Sequence, residues 1–239
     1  MKFENTDVYN FENSFRGLRH PMESYIKSDS KICYSDTYHK EMFVIGPNDL
    51  DLAQRMIKAG SPNDKFLRQI FVSIDITGPL FWWKELDTYK VGTTANSTST
   101  MHKLATTPIT IDCFETDDMS EIDEIDQDNT SKDNDFDANN YFYSFDDASN
   151  TPIEFINFLE SLRLKYLETK DKRYWKELIR WLPESWLQTR TFTCNYSVLR
   201  NIIHWRQGHK LSEWGSFIEH CRTLPYAEEL LFYNQSFEK

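Results

Sequence analysis

Apolar positions along this 239-residue chain change their spacing from one stretch to the next. From about Asp49 to Ala59 they recur at helical spacing, with Leu52, Ala53, Met56 and Ile57 on one face and Gly60 as a C-terminal stop. Between Ile70 and Thr77 the period shortens to two. Ile70, Val72, Ile74 and Ile76 fall on one side, the pattern of a half-buried strand, and Gly78-Pro79 predicts its end. Leu80 to Asp87, with Phe81, Trp82 and Trp83, reads as a buried helix, and Gly92 to Thr100 as a hydroxyl-rich loop. Helical spacing returns after Thr151-Pro152-Ile153-Glu154, a capping box with proline at the first helical position. Ile156, Leu159, Leu162 and Tyr166 form the stripe of that helix. A second helix is predicted from about Asp171 to Trp181, ahead of Pro183, and a third from about Asn195 to Gln207, ended by Gly208. A fourth presents Trp214, Phe217, Ile218 and Cys221 as its core face. A strand first and helices after predict an α+β fold rather than alternating βαβ units.

Between the two patterned regions, residues 112–150 are rich in Asp, Asn and Ser and show little periodicity. From Asp112 to Asp147 there are 14 acids and one base, so this segment carries more negative charge than the whole chain's net of -11, and the rest of the chain is about +2. Asp126, Asp128, Asp133 and Asp135 resemble calcium ligands in type. The glycine and closing glutamate of an EF-hand loop are missing, so the expectation is a solvated, acidic surface insertion in a single domain, with no metal site. Outside this insertion no basic stripe appears, which argues against duplex nucleic acid as a partner. The 36 aromatic residues argue for a packed core or an interface. No apolar run approaches the roughly 20 residues that span a bilayer, no leader-like apolar region opens the sequence, and the four cysteines lack metal-ligand spacing; a reduced, cytoplasmic protein is expected.

The chemistry-bearing residues are sparse. There is no His-x-x-x-His pair, no serine elbow and no glycine-rich phosphate loop. Asn195 and Arg206, eleven residues apart, return to one helical face about 16 Å apart. Buried there, both need polar partners. A ligand with amide edges and a phosphate would supply them, and so would a neighbouring carboxylate. Arg180, among apolar neighbours, reads first as a snorkelling surface arginine.

The order of these features resembles the flavin-dependent thymidylate synthases, in particular divergent phage or prophage relatives. The features are a strand, Gly78-Pro79, an aromatic helix and a hydroxyl loop, then Arg180 ahead of Leu182-Pro183, and Asn195, Asn201 and Arg206 in sequence. The resemblance covers about Asp49 to Leu104 and Asp171 to Cys221. It implies an α+β fold in which an antiparallel sheet packs with long helices, as in the thymidylate synthase complementing proteins. It also implies a homotetramer with active sites where subunits meet. The implied reaction is methylation of dUMP at C5, with methylenetetrahydrofolate as carbon donor, FAD reduced by NADPH, and no cysteine nucleophile.

By the same resemblance Asn195, Asn201 and Lys90 would contact flavin, and Arg180 and Arg206 would hold the phosphate of the nucleotide monophosphate. Glu85 and Thr98 would lie near the pyrimidine as the catalytic pair. The family's Arg-His-Arg signature falls on Thr88, Tyr89 and Lys90, of which only the last keeps a charge. The loop glutamate falls on Asn96, its last arginine on Thr100, and a nucleotide-contacting glutamine on Glu85. These departures leave two readings. One is an enzyme acting on dUMP or a related pyrimidine. The other is a non-catalytic nucleotide- or flavin-binding phage protein that sequesters a nucleotide or engages a host protein, with the acidic insertion as a contact for a protein partner.

Overall fold

The computed structural model describes residues 1–36, 39–116 and 151–235. The acidic stretch from 117 onward, with its calcium-like Asp residues, lies outside them. The elements run β1 (Lys2–Tyr9), α1 (Phe11–Arg19), β2 (Lys31–Ser35), β3 (Lys40–Val44), α2 (Pro47–Ala59), β4 (Phe71–Pro79), α3 (Leu80–Leu86) and β5 (Thr94–Ser97). They continue with the short α4 (Thr100–Lys103), then α5 (Thr151–Thr169), α6 (Lys172–Arg180), β6 (Leu187–Asn195), α7 (Tyr196–Arg206) and α8 (Ser212–Arg222). Four strands form one sheet in the order β1-β4-β6-β5, and β2 and β3 form a separate hairpin. β1 runs antiparallel to β4 and β5 to β6. Between β4 and β6, Ser73 faces Thr193 and Thr77 faces Thr189, so that pair is antiparallel too. The class is α+β, as expected.

β4 carries the period-two pattern into space. Ile70 just ahead of it, and Val72, Ile74 and Ile76 within it, are fully withdrawn from water. Its other face is polar. Thr191 and Asn5 both donate to the Asp75 carboxylate, at 2.5 and 2.8 Å, and hold its pKa below the usual carboxylate range. The expected break at Gly78-Pro79 comes two residues later than predicted, because both residues complete β4 before α3 begins at Leu80.

Two expectations are corrected. The hydroxyl-rich loop contains a strand, β5: Gly92, at φ +75°, turns the chain, and Thr94 to Ser97 then pair with Arg190 to Thr193. Its side chains are exposed, so backbone pairing forms this strand without any apolar alternation. The region after residue 150 is not purely helical either, because β6 lies within it. Its signal was present as Thr189, Thr191 and Thr193 alternating with Gln188, Phe192 and Cys194, which are buried. The N-terminal β1, α1 and hairpin were not predicted. In β1 a bulge between Glu4 and Asp7, with Asn5 at φ +48°, breaks the alternation that would have revealed a strand.

The chain divides into two compact units, each assembled from separated stretches. One comprises Met1–Thr77, Lys84–Ser97 and Thr189–Lys239; the other, Gly78–Trp83 and Thr98–Gln188. In the first, β4, α7 and α8 each bury one face, and Phe15, Phe66 and Leu67 are buried with them, Phe15 and Phe66 edge to face. The predicted core face of α8 is borne out: Trp214, Phe217, Ile218 and Cys221 are all buried. In the second, Leu159 and Leu162 of α5 pack with Leu178 of α6 and with Leu104, Ile109 and Phe114. Glu160 ties the segment ahead of the insertion to α5, accepting from Arg163 and from the Ile109 backbone N–H at 2.9 Å. No helix among the described residues is long and apolar enough to cross a membrane.

The first unit also buries a charge pair. Asp49, fully enclosed at the start of α2, accepts from Arg19 at 2.7 Å and from the Ser28 and Ser30 hydroxyls at 2.7 and 2.6 Å. Burial alone would raise its pKa, but these hydrogen bonds outweigh it and hold the pKa below the ordinary 3.8. Asp49→Asn strands the Arg19 guanidinium, and urea denaturation should show a loss of about 3–5 kcal/mol. Because the folded pKa is the lower one, Asp49 contributes its stability in full above the ordinary carboxylate value. That contribution fades as pH falls through the folded pKa. Acid titration of wild type should show this loss, and the Asn variant should lack that component.

Candidate functional site

Helix α7 carries Asn195 at its start and, at its C-terminal end, a polar cluster around Arg206. Asn195 starts this helix as its N-cap, its side-chain oxygen accepting from the Val198 N–H at 3.0 Å. Leu199, Ile202 and Ile203 bury the inner face. Arg206 closes the last turn, where a cation complements the helix dipole, and Gly208 at φ +68° turns the chain away.

The Arg206 guanidinium has partners from three directions. Nη1 donates to Glu85 Oε2 of α3 at 2.8 Å, and Nε donates to the Tyr89 hydroxyl at 3.1 Å. Its Cζ lies over the Trp214 ring, 4.6 Å from the centroid. Trp214 Nε1 donates to the same Glu85 oxygen at 2.8 Å. His209 lies with Nε2 3.2 Å from Arg206 Nη1 and Nδ1 3.2 Å from the Leu211 N–H. A neutral imidazole carries one N–H, so these last two contacts are alternatives. With Nδ1 accepting from Leu211, the proton sits on Nε2 and faces Glu85 Oε2 at 3.6 Å. The cluster is one cation and one anion inside an aromatic frame, and it is electrically neutral when His209 is uncharged.

The sequence left open whether Arg206 and Asn195 are satisfied by a ligand or from within. Among the described residues the chain supplies partners to both: the Glu85 carboxylate to Arg206 and a backbone N–H to Asn195. Of the other named residues, Glu85 and Arg206 come together. Lys90 lies nearby in sequence, at an open depression of about 320 Å³ lined also by Leu86, Asp87, Thr93, Thr94, Ala95 and Phe192. Asp87 there is paired with Arg190 at 2.9 Å, and the Thr93 hydroxyl donates to the Tyr89 carbonyl, so Lys90 and Thr94 are the donors it presents. Asn195 sits against Gly92, where an added Cβ would come within 3.2 Å of its amide nitrogen. Asn201 is on the exposed face of α7. Thr98 and Arg180 belong to the second unit. There the Thr98 carbonyl accepts from Gln188 at 3.0 Å, and exposed Arg180 is paired with Glu177.

Tyr89, His209 and Trp214 were missed as site residues. Trp214 fitted a core stripe, which it also fills, and Tyr89 registered only as a departure from a signature. His209, directly after the Gly208 turn that ends a helix in Arg206, carried the one readable signal. The cysteines offer no nucleophile among their buried members: burial pushes the Cys194 and Cys221 thiols up, which keeps them protonated. No group of three potential ligands among the described residues could hold a metal ion.

Against known proteins, the whole chain superposes on two crystal structures of thymidylate synthase X from Helicobacter pylori, both with FAD and dUMP. The first covers 100% of each chain with a TM-score of 0.62 at 16% identity, and the second 98% and 99% with a TM-score of 0.61 at 17% identity. In fold, this chain is similar to the flavin-dependent thymidylate synthases. No protein-family model matches the sequence, and no curated protein matches it. The likeness is therefore one of backbone architecture, and it runs the full length of the chain.

The two asparagines separate structural from surface roles. Asn195→Ala should cost about 1 kcal/mol in denaturant unfolding, through loss of the helix cap, and Asn195→Asp should recover most of it. Asn201→Ala should stay within about 0.5 kcal/mol of wild type.

Proposed function

We propose that this chain is a flavin-dependent thymidylate synthase-like protein that methylates C5 of dUMP or a related pyrimidine nucleotide, using methylenetetrahydrofolate and reduced FAD. The observation that carries the reading is the end-to-end fold likeness to an enzyme crystallised with FAD and dUMP. The residues of the first unit fit such ligands in kind. Lys90 and Thr94 beside Leu86 and Phe192 offer a cation and a hydroxyl over an apolar floor, a donor set suited to an anionic, planar ring. They would hold the flavin together with Asn195 and Asn201. When bound, reduced flavin would supply the hydride. The chain's own part is to bind and orient: Arg206, rigid between Tyr89 and Trp214, presents a fixed donor to the nucleotide, and Glu85 beside it faces the pyrimidine. Arg180 and Thr98 enter this reading through the resemblance alone. Homo-oligomer assembly, a tetramer by the same resemblance, and a role for the acidic insertion in protein contact belong to the proposal as well.

A second reading, a nucleotide- or flavin-binding protein without turnover, is favoured by one observation. The carboxylate of Glu85 neutralises Arg206, and positive charge near the uracil carbonyls is what activates the ring.

The visible spectrum of the purified protein, before and after addition of FAD and dUMP, tests both. Bound-flavin bands that sharpen with dUMP, together with tritium release from 5-tritiated dUMP when methylenetetrahydrofolate and NADPH are present, are the outcome expected of the enzyme. Bands without release would leave the binder. A spectrum that FAD and dUMP do not change would overturn the flavoprotein reading.

A further inference from the structure

Glu85 is fixed by one oxygen only. Oε2 accepts from both Arg206 Nη1 and Trp214 Nε1 at 2.8 Å, which sets the plane and position of the carboxylate. Oε1 has no hydrogen-bond partner among the described residues, and the side chain is about a third exposed. The centre therefore offers a ligand an immobilised oxygen that can only accept, framed by the Tyr89 and Trp214 rings. A phosphate brought to the same place would bring its negative charge to that oxygen, and Arg206 is already neutralised by it.

We infer that Glu85 determines substrate specificity, selecting a pyrimidine nucleotide that carries an exocyclic amine, of the cytosine type, over one that carries a carbonyl at that position, of the uracil type. This deepens the function proposed above and rests on it. A cytosine edge presents an amine with two N–H groups, and a carboxylate accepts from that amine. A uracil edge presents one N–H flanked by two carbonyl oxygens, so bringing its donor to Oε1 brings a lone pair toward the carboxylate on either side. The carboxylate cannot rotate to avoid this, because Arg206 and Trp214 hold it.

The test is calorimetric binding of dCMP and dUMP to the full-length protein and to Glu85→Gln. Wild type should bind dCMP at least about tenfold more tightly than dUMP. Glu85→Gln, whose amide can donate as well as accept, should lose that preference. A ligand-side control does not depend on the variant folding: N4,N4-dimethyl-dCMP, which keeps the ring but has no amine hydrogen, should bind wild type at least about tenfold more weakly than dCMP. Equal affinities for dCMP and dUMP, or a preference for dUMP, would overturn the selectivity and leave nucleotide binding standing. Binding of neither nucleotide would overturn both.

Discussion

One face of β4 is closed to water along its whole length, and the rest of the first unit is arranged to keep it so. Val72, Ile74 and Ile76, with Ile70 before them, have no exposed surface. At about 1.5–3 kcal/mol for each fully buried side chain of this size, that face alone outweighs any single polar contact in the molecule. Covering it needs apolar helical faces, and α7 and α8 carry them in Leu199, Ile202, Trp214 and Phe217. The position of Arg206 follows from this packing. It ends α7, so the helix that buries its inner face also delivers a guanidinium to a fixed point beside Trp214.

The fold is most legible in the sequence where one burial pattern decides an element. The inward isoleucines of β4, the stripe of α8 and the glycine stops after α2 and α7 all rest on a single period or a single backbone conformation, and each appears in the structure. Where pairing across the chain makes the element, the local pattern carries no such signal. β5 is four exposed residues that exist as a strand because β6 lies beside them. β1 hides its alternation behind a bulge at Asn5. β6 sits among helices, and its alternating threonines are masked because the segments on either side of it read as helical. The same division holds at the site. Arg206 stood out as a charge on an apolar helix, whereas Tyr89 and His209 gain their meaning only from a contact to it over 117 and 3 residues respectively.

Likeness of fold and likeness of site part company here. A TM-score of 0.62 over the whole chain at 16% identity means that the backbone arrangement is shared while most side chains are not. Function is carried by side chains placed on a fold. The shared backbone therefore leaves the function to the side chains, and in the first unit Glu85, Arg206, Tyr89 and Trp214 form one interconnected polar cluster.

Charge bookkeeping at that pair bears directly on the chemistry. Two unit charges 4 Å apart in an environment of effective dielectric near 20 interact by about 4 kcal/mol, which is roughly three orders of magnitude in a rate. Negative charge that develops on a uracil carbonyl near Arg206 would be attracted by the guanidinium and repelled on a similar scale by the carboxylate 2.8 Å from it. The net pull on a uracil ring is then small. An aminopyrimidine changes the sign of the second interaction, because its amine donates to the carboxylate. Arg206 is held in place between the same two rings and by the same partners in either case. Under the proposed function, the residue that would weaken activation of an oxo-pyrimidine is thus the one that would give an amino-pyrimidine its partner.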